Sequence, residues 1–156
     1  MQIEGKPNRT DLSQQESVYG PIAFSDFLQK WRGNSDLMQH LQSLAEAQPA
    51  LIHGAHYWRT ISENGFDFYD PGSRAGSPII AFSRILNGVE LLCAINLHEQ
   101  QQAVFYITLD STIHSSGSRM RCIYASSPTP PELNVEDRNG KALRLTVPPM
   151  TFVIYC

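Results

Sequence analysis

Two periodicities of apolar residues divide this chain. Between Pro21 and Arg32, Phe24, Phe27, Leu28 and Trp31 fall at offsets 3, 4 and 7, the spacing of one helix face. Gly33 and Asn34 interrupt that pattern. Leu37, Leu41, Leu44 and Ala45 then repeat at offsets 4, 7 and 8, which predicts an amphipathic helix over residues 35–48. Asn34 or Ser35 can cap it, because a short side-chain oxygen satisfies a free N–H of the first turn. Asp36 puts negative charge at the positive end of the helix dipole. Pro49 stops the helix, since proline lacks the N–H and biases Gln48 away from helix.

From Tyr57 onward the period shortens. β-rich runs cover Tyr57–Ile61, Phe66–Tyr69, Ile79–Ile85, Val89–Asn96, Ala103–Leu109, Arg119–Tyr124, Ala142–Val147 and Thr151–Tyr155. Asn87-Gly88 lies between two apolar runs, and both residues tolerate the positive φ of a type I′ hairpin turn. Glu63-Asn64-Gly65 and Asn139-Gly140 suit turns as well. Pro148-Pro149 must fall between strands, because neither residue can donate to a ladder. About eight short strands predict a mostly-β fold, an antiparallel two-sheet β-sandwich of Greek-key type. One or two α-helices precede it. The runs Ile79-Ile80-Ala81-Phe82 and Leu91-Leu92-Cys93-Ala94-Ile95 are apolar on consecutive positions, so these strands should be covered on both faces, with the helices over one sheet. The expected organisation is an irregular segment over 1–20, a helical segment over 21–50 and a β domain over 51–156.

Composition narrows the function. The 156 residues carry 12 basic and 15 acidic side chains, a net charge of −3. That balance disfavours a nucleic-acid binder working by phosphate neutralisation. No stretch approaches the ~20 apolar residues of a membrane span, and the N-terminus has no apolar signal region. Cys93, Cys122 and Cys156 are odd in number and widely spaced, which reads as reduced thiols of a cytoplasmic protein.

The candidate chemistry is sparse. His53 and His56 are three apart, yet zinc needs three or four ligands and no thiolate or carboxylate cluster accompanies them. No metal or other cofactor is expected. Gly72-Ser73-Arg74-Ala75-Gly76 has Arg74 where a nucleophile elbow needs its serine. Asp67, Asp70, Glu90, Asp110, Glu136 and Asp137 sit in or beside β runs. Those inside strands read as solvent-facing members of an alternating pattern, and no two stand out as an acid and a base. No catalytic residue is therefore assigned. Tyr57 and Trp58 must point to opposite sides of a strand. Trp31, Trp58 and Tyr69 are the candidates for stacking on the apolar C–H faces of sugar rings.

Pro49-Ala50-Leu51 followed by Gly54, then Tyr57-Trp58-Arg59 and Ile61-Ser62, resembles the junction after the last barrel helix in glycoside hydrolase family 13, the α-amylase family. The run from Pro78 to Asn96 is similar to the opening hairpin of that family's C-terminal β domain, and Leu143 to Tyr155 to its final two strands. This resemblance implies a remnant of the barrel's last helices followed by the C-terminal β domain. It also implies that the catalytic carboxylates belong to barrel strands upstream of this region, and no position here matches their motifs. The expected role is then a non-catalytic packing module for a (β/α)8 barrel. The alternatives are an α-glucan-binding module, or a protein that meets a barrel or a second copy of itself through Leu37, Leu41 and Leu44.

Overall fold

The structure, a computed structural model, describes residues 35–156. The segment 1–20, the helix expected over 21–32 and Trp31 lie outside the described residues. Helix α1 spans Ser35–Ala47, with Asp36 in its first turn. Pro49 does more than end it. Its φ of −56° also opens a short second helix, α2 (Ala50–His53), which the sequence pattern did not predict.

Nine strands follow: β1 (Ala55–Trp58), β2 (Ile61–Ser62), β3 (Ile79–Leu86), β4 (Val89–Asn96), β5 (Ala103–Leu109), β6 (Arg119–Ala125), β7 (Glu132–Glu136), β8 (Lys141–Val147) and β9 (Thr151–Tyr155). They form one sheet in the order β1-β3-β4-β9-β6-β7-β8-β5-β2. Every paired neighbour is antiparallel. The mostly-β, antiparallel class expected from the sequence is the class observed. In place of the two separate sheets expected, the nine strands form one curled sheet, whose two arms join where Met120 of β6 pairs with Leu133 of β7.

The curl encloses the main core. Ala81, Leu92 and Val153 of one arm share a buried cluster with Phe105, Ile107 and Leu145 of the other. Alternation along each strand assigns the inward side chains, since successive residues point to opposite faces. Strand β4 is buried on both faces from Glu90 to Asn96, as its unbroken apolar run required. Leu92 and Ala94 face the inner core. Leu91 and Cys93 face outward and pack with Ala50, Leu51 and Leu44 of the helices. Of the expected helical stripe, the side chains of Leu37 and Leu41 lie outside those described, Ala45 is half-buried, and Leu44 packs on the sheet.

The two terminal strands of the sheet, β1 and β2, are nearly consecutive in sequence. Arg59 N–H donates to Ala81 O on one arm at 3.0 Å, and Thr60 O accepts from Thr108 N–H on the other at 3.1 Å. A single segment, 55–62, therefore leaves one arm and enters the other between residues 59 and 60. Strands that switch layers in this way form the corners of packed sheets.

Turn chemistry accounts for the strand register. Asn87 and Gly88 have φ of 51° and 77°, as a type I′ turn demands, and Asn139-Gly140 repeats the pattern at 49° and 92°. The run Phe66–Tyr69 departs from expectation. The Asn64 side-chain oxygen accepts the N–H groups of Phe66 and Asp67 at 2.8 and 2.9 Å, so those donors are lost to any ladder. Tyr69 alone pairs, with Ile61, and Phe66 is 78% exposed.

Candidate functional site: a buried carboxylate at the corner and a cleft at the opposite mouth

Two polar assemblies lie at the ends of the curl. The first centres on Glu90, at the start of β4. Its parity with Leu92 and Ala94 turns it inward, so its side chain is wholly buried rather than solvent-facing as the alternation argument supposed. A bare carboxylate there would be costly, and the fold surrounds it with donors. Oε1 accepts from Arg59 Nη2 at 2.9 Å and from Ser83 Oγ at 2.5 Å. Oε2 accepts from the Asp110 N–H at 3.0 Å and lies 2.8 Å from His114 Nε2. Ser83 Oγ also accepts from Arg59 Nε at 2.8 Å, closing a three-residue ring.

The position of Arg59 explains the assembly. It sits where the 55–62 segment changes arms, while Asp110 and His114 lie just beyond β5 of the other arm. Glu90 thus ties three separate pieces of chain at one corner. Burial acts to raise the Glu90 carboxyl, but the bonds from His114 and Ser83, the Arg59 charge and the Asp110 amide outweigh it and hold the group below its usual range. Both oxygens are turned to partners within the fold, and the side chain is inaccessible. Beside it, Asp110 is held low first by the Thr112 hydroxyl, which donates to it at 2.6 Å.

At the opposite mouth of the curl, the loop 63–78 and the β4–β5 connection wall a cleft of about 390 Å³. Tyr69 stands in it with Arg74 stacked on its ring, the guanidinium carbon 3.3 Å from the centroid. The Tyr69 hydroxyl donates to Glu63. Burial, followed by that bond and the Glu63 charge, pushes the phenol up to about 12, with Arg74 opposing. Asn96, completely buried, donates to Gln101 O at 2.9 Å and Val147 O at 3.1 Å, and accepts from His98 N–H at 3.0 Å. These bonds fix the far wall. His98 Nδ1 in turn accepts the N–H groups of Gln100 and Gln101 at 3.1 and 3.0 Å.

Trp58 and Tyr69 are not brought together. Trp58 is half-buried on the outer face, edge-on to His56 at 4.4 Å and to Phe82 at 6.0 Å. Tyr57, on the other side of the strand, is 48% exposed with Arg59 over its ring. His56 stacks on Phe82 at 4.8 Å, and His53 closes α2. Among the described residues no three His, Cys, Asp or Glu side chains group as metal ligands. No described helix is long and apolar enough to cross a membrane.

No family model matches the sequence, and no curated protein matches it. Among solved structures, the chain is similar to the native form of the debranching enzyme of Nostoc punctiforme, at 18% identity and a TM-score of 0.49, covering 72% of this chain and 19% of that one. It is also similar to the α-amylase of H. orenii, at 16% identity and a TM-score of 0.45, covering 81% of this chain and 22% of that one. For the isomaltulose synthase of Erwinia rhapontici the figures are 16% and 0.41, with 72% of this chain and 16% of that one covered. The chain therefore spans about a fifth of the length of the first two structures.

Proposed function

We propose that this chain is the non-catalytic β domain of an α-amylase-like glycoside hydrolase, a module that seats helices of a (β/α)8 barrel against its outer sheet face. The observation that carries this reading is the construction of the junction between α2 and β1. The residues of the Pro-Ala-Leu-x-x-Gly segment are those that lay the helix on the sheet. Pro49 opens α2, Ala50 is buried against β4, and Leu51 packs beside it. Gly54 passes so close that a Cβ there would lie 2.5 Å from Ala50 O and 3.1 Å from Ile85 N. Arg84 of β3 reaches over to the helix carbonyls, at 3.5 Å from Ala50 O and 3.3 Å from Ile52 O. A cation near the end of a helix also complements its dipole.

The polar chemistry agrees with a packing role. Glu90 is the one fully buried acid among the described residues, and its bonds are spent on the fold. The test is association with a barrel. The full chain is mixed with a barrel-type glycoside hydrolase of the same organism that lacks a β domain of its own, and complexes are measured by native mass spectrometry. A one-to-one complex weakened by Leu51→Asp supports the reading. A chain that stays alone and hydrolyses α-glucan by itself overturns it.

A further inference from the structure

We propose that Asn87, at the tip of the β3–β4 hairpin, is a site of spontaneous deamidation, and that the fold grades the three Asn-Gly pairs of this chain in the order Asn87, Asn139, Asn64. The chemistry is intramolecular. The backbone nitrogen of the next residue attacks the asparagine side-chain carbonyl carbon. The new C–N bond closes a succinimide ring, and the side-chain nitrogen leaves as ammonia. Water then adds to either ring carbonyl and opens it to an aspartyl or an isoaspartyl residue. A glycine next in sequence favours the attack, because it has no Cβ to obstruct it. The two reacting atoms meet only when the turn departs from its folded shape, so the rate follows the cost of opening each turn.

At Asn64 that cost is high. Its Oδ1 accepts from Ser62 Oγ at 2.9 Å and from the Phe66 and Asp67 N–H groups at 2.8 and 2.9 Å, and its Nδ2 donates to Asp67 Oδ2 at 2.7 Å. The attacking nitrogen is held as well, since Gly65 N–H donates at 2.9 Å to the Oγ of Ser62, which is completely buried. Asn139 is intermediate. It is exposed, but Lys141 Nζ donates to Asp137 Oδ1 at 2.6 Å across its turn, and the neighbouring Arg138 lies over the Tyr106 ring. Nothing comparable holds the tip at Asn87. Asn87, Gly88 and Val89 are all exposed, and a Cβ at Gly88 would meet no atom within 4 Å. Among the described residues no side-chain hydrogen bond fixes Asn87. An isoaspartyl residue there adds a backbone carbon to a tight loop. It displaces the pairing of Leu86 with Val89 and, one residue on, that of Ile85 with Glu90. Modification of the tip therefore loosens the buried carboxylate network at the corner.

The experiment incubates the folded full chain in mildly alkaline buffer, with a parallel sample in concentrated guanidinium chloride. Peptides covering each Asn-Gly pair are followed by mass spectrometry, with chromatographic separation of the aspartyl and isoaspartyl forms. In the folded chain Asn87 should convert first and Asn64 at least about tenfold more slowly, the factor set by breaking about two hydrogen bonds before attack. In denaturant the three sites should convert at similar rates, since each has the same following residue. The fraction converted to isoaspartate at Asn87 should melt at a lower temperature than the parent. Equal rates at Asn64 and Asn87 in the folded chain would overturn the proposal. So would an Asn87 that stays an amide in the folded chain while it converts in denaturant. An unchanged melting temperature would refute the link to the corner.

Discussion

Replacing Glu90 by Gln preserves the shape of the side chain and removes its charge. The carboxylate accepts from Arg59, Ser83 and the Asp110 amide, and His114 Nε2 lies 2.8 Å away. A glutamine has a single acceptor oxygen, so its NH2 group must face one pair of those donors. Arg59, only 15% exposed, would also lose its counter-charge. Breaking one side of a buried ion pair costs about 3–5 kcal/mol. Total stabilities run at roughly 0.05–0.15 kcal/mol per residue, so this is a large share of the whole. For a domain of this size the loss corresponds to a fall in Tm of roughly 6–20 °C. The assay is urea and thermal unfolding followed by far-ultraviolet circular dichroism. Glu132→Gln is the control. Glu132 pairs with Arg119 on the surface, where Arg119 is 67% exposed, and exposed pairs contribute about 0–1 kcal/mol. A Glu90→Gln protein as stable as the control would refute the claim that this network holds the corner.

Four other outcomes follow from the same structure. Because the Glu90 carboxyl is held below its unfolded value of about 4.3, its contribution is complete above that pH and is lost as pH falls through the lower folded value. Acid unfolding monitored below about pH 4 should therefore be less steep in Glu90→Gln than in the parent. Gly54→Ala should cost about 1–3 kcal/mol by forcing a Cβ against Ala50 O, as measured by urea unfolding. Gly88→Ala meets no atom within 4 Å but sits at φ 77°, so it should cost about 1–2 kcal/mol through backbone strain alone, and α2 should keep its hydrogen-exchange protection only in this variant. Burial drives the Cys93 thiol well above its usual range, so a thiol reagent should label it only on unfolding, whereas partly exposed Cys122 should be labelled in the native protein.

Much of the fold was legible because local chemistry and global packing agree. Asn87-Gly88 and the apolar runs on either side specify the β3–β4 hairpin, and the expected bounds Val89–Asn96 and Ala103–Leu109 match the observed strands. Where local signals were weak, the reading failed. Strand β7 reads Glu-Leu-Asn-Val-Glu, with only Leu133 and Val135 turned toward the core, and it follows a proline-rich stretch. Its pairing with β6 and β8 comes from tertiary contact rather than from its own pattern. Phe66–Tyr69 carried a strand-like composition, but one asparagine side chain took its backbone donors.

The Glu90 assembly was hidden for a different reason. Its partners lie 31, 24, 20 and 7 residues away, so no window along the chain contains them. One signal was available. Glu90 shares the parity of Leu92 and Ala94 in a run with no polar face, which excludes a solvent-facing role. The cleft was half visible: Tyr69 stood out as an aromatic, while its dependence on Arg74 and Glu63 emerged only from the folded loop.

The most direct test of the central claim is incubation of the purified full chain with maltoheptaose, followed by chromatographic analysis of the sugars. The account predicts that the maltoheptaose is recovered intact over the whole pH range in which the chain stays folded. Shorter oligosaccharides, formed by the parent and lost in a folded variant of any carboxylate among residues 35–156, would contradict it.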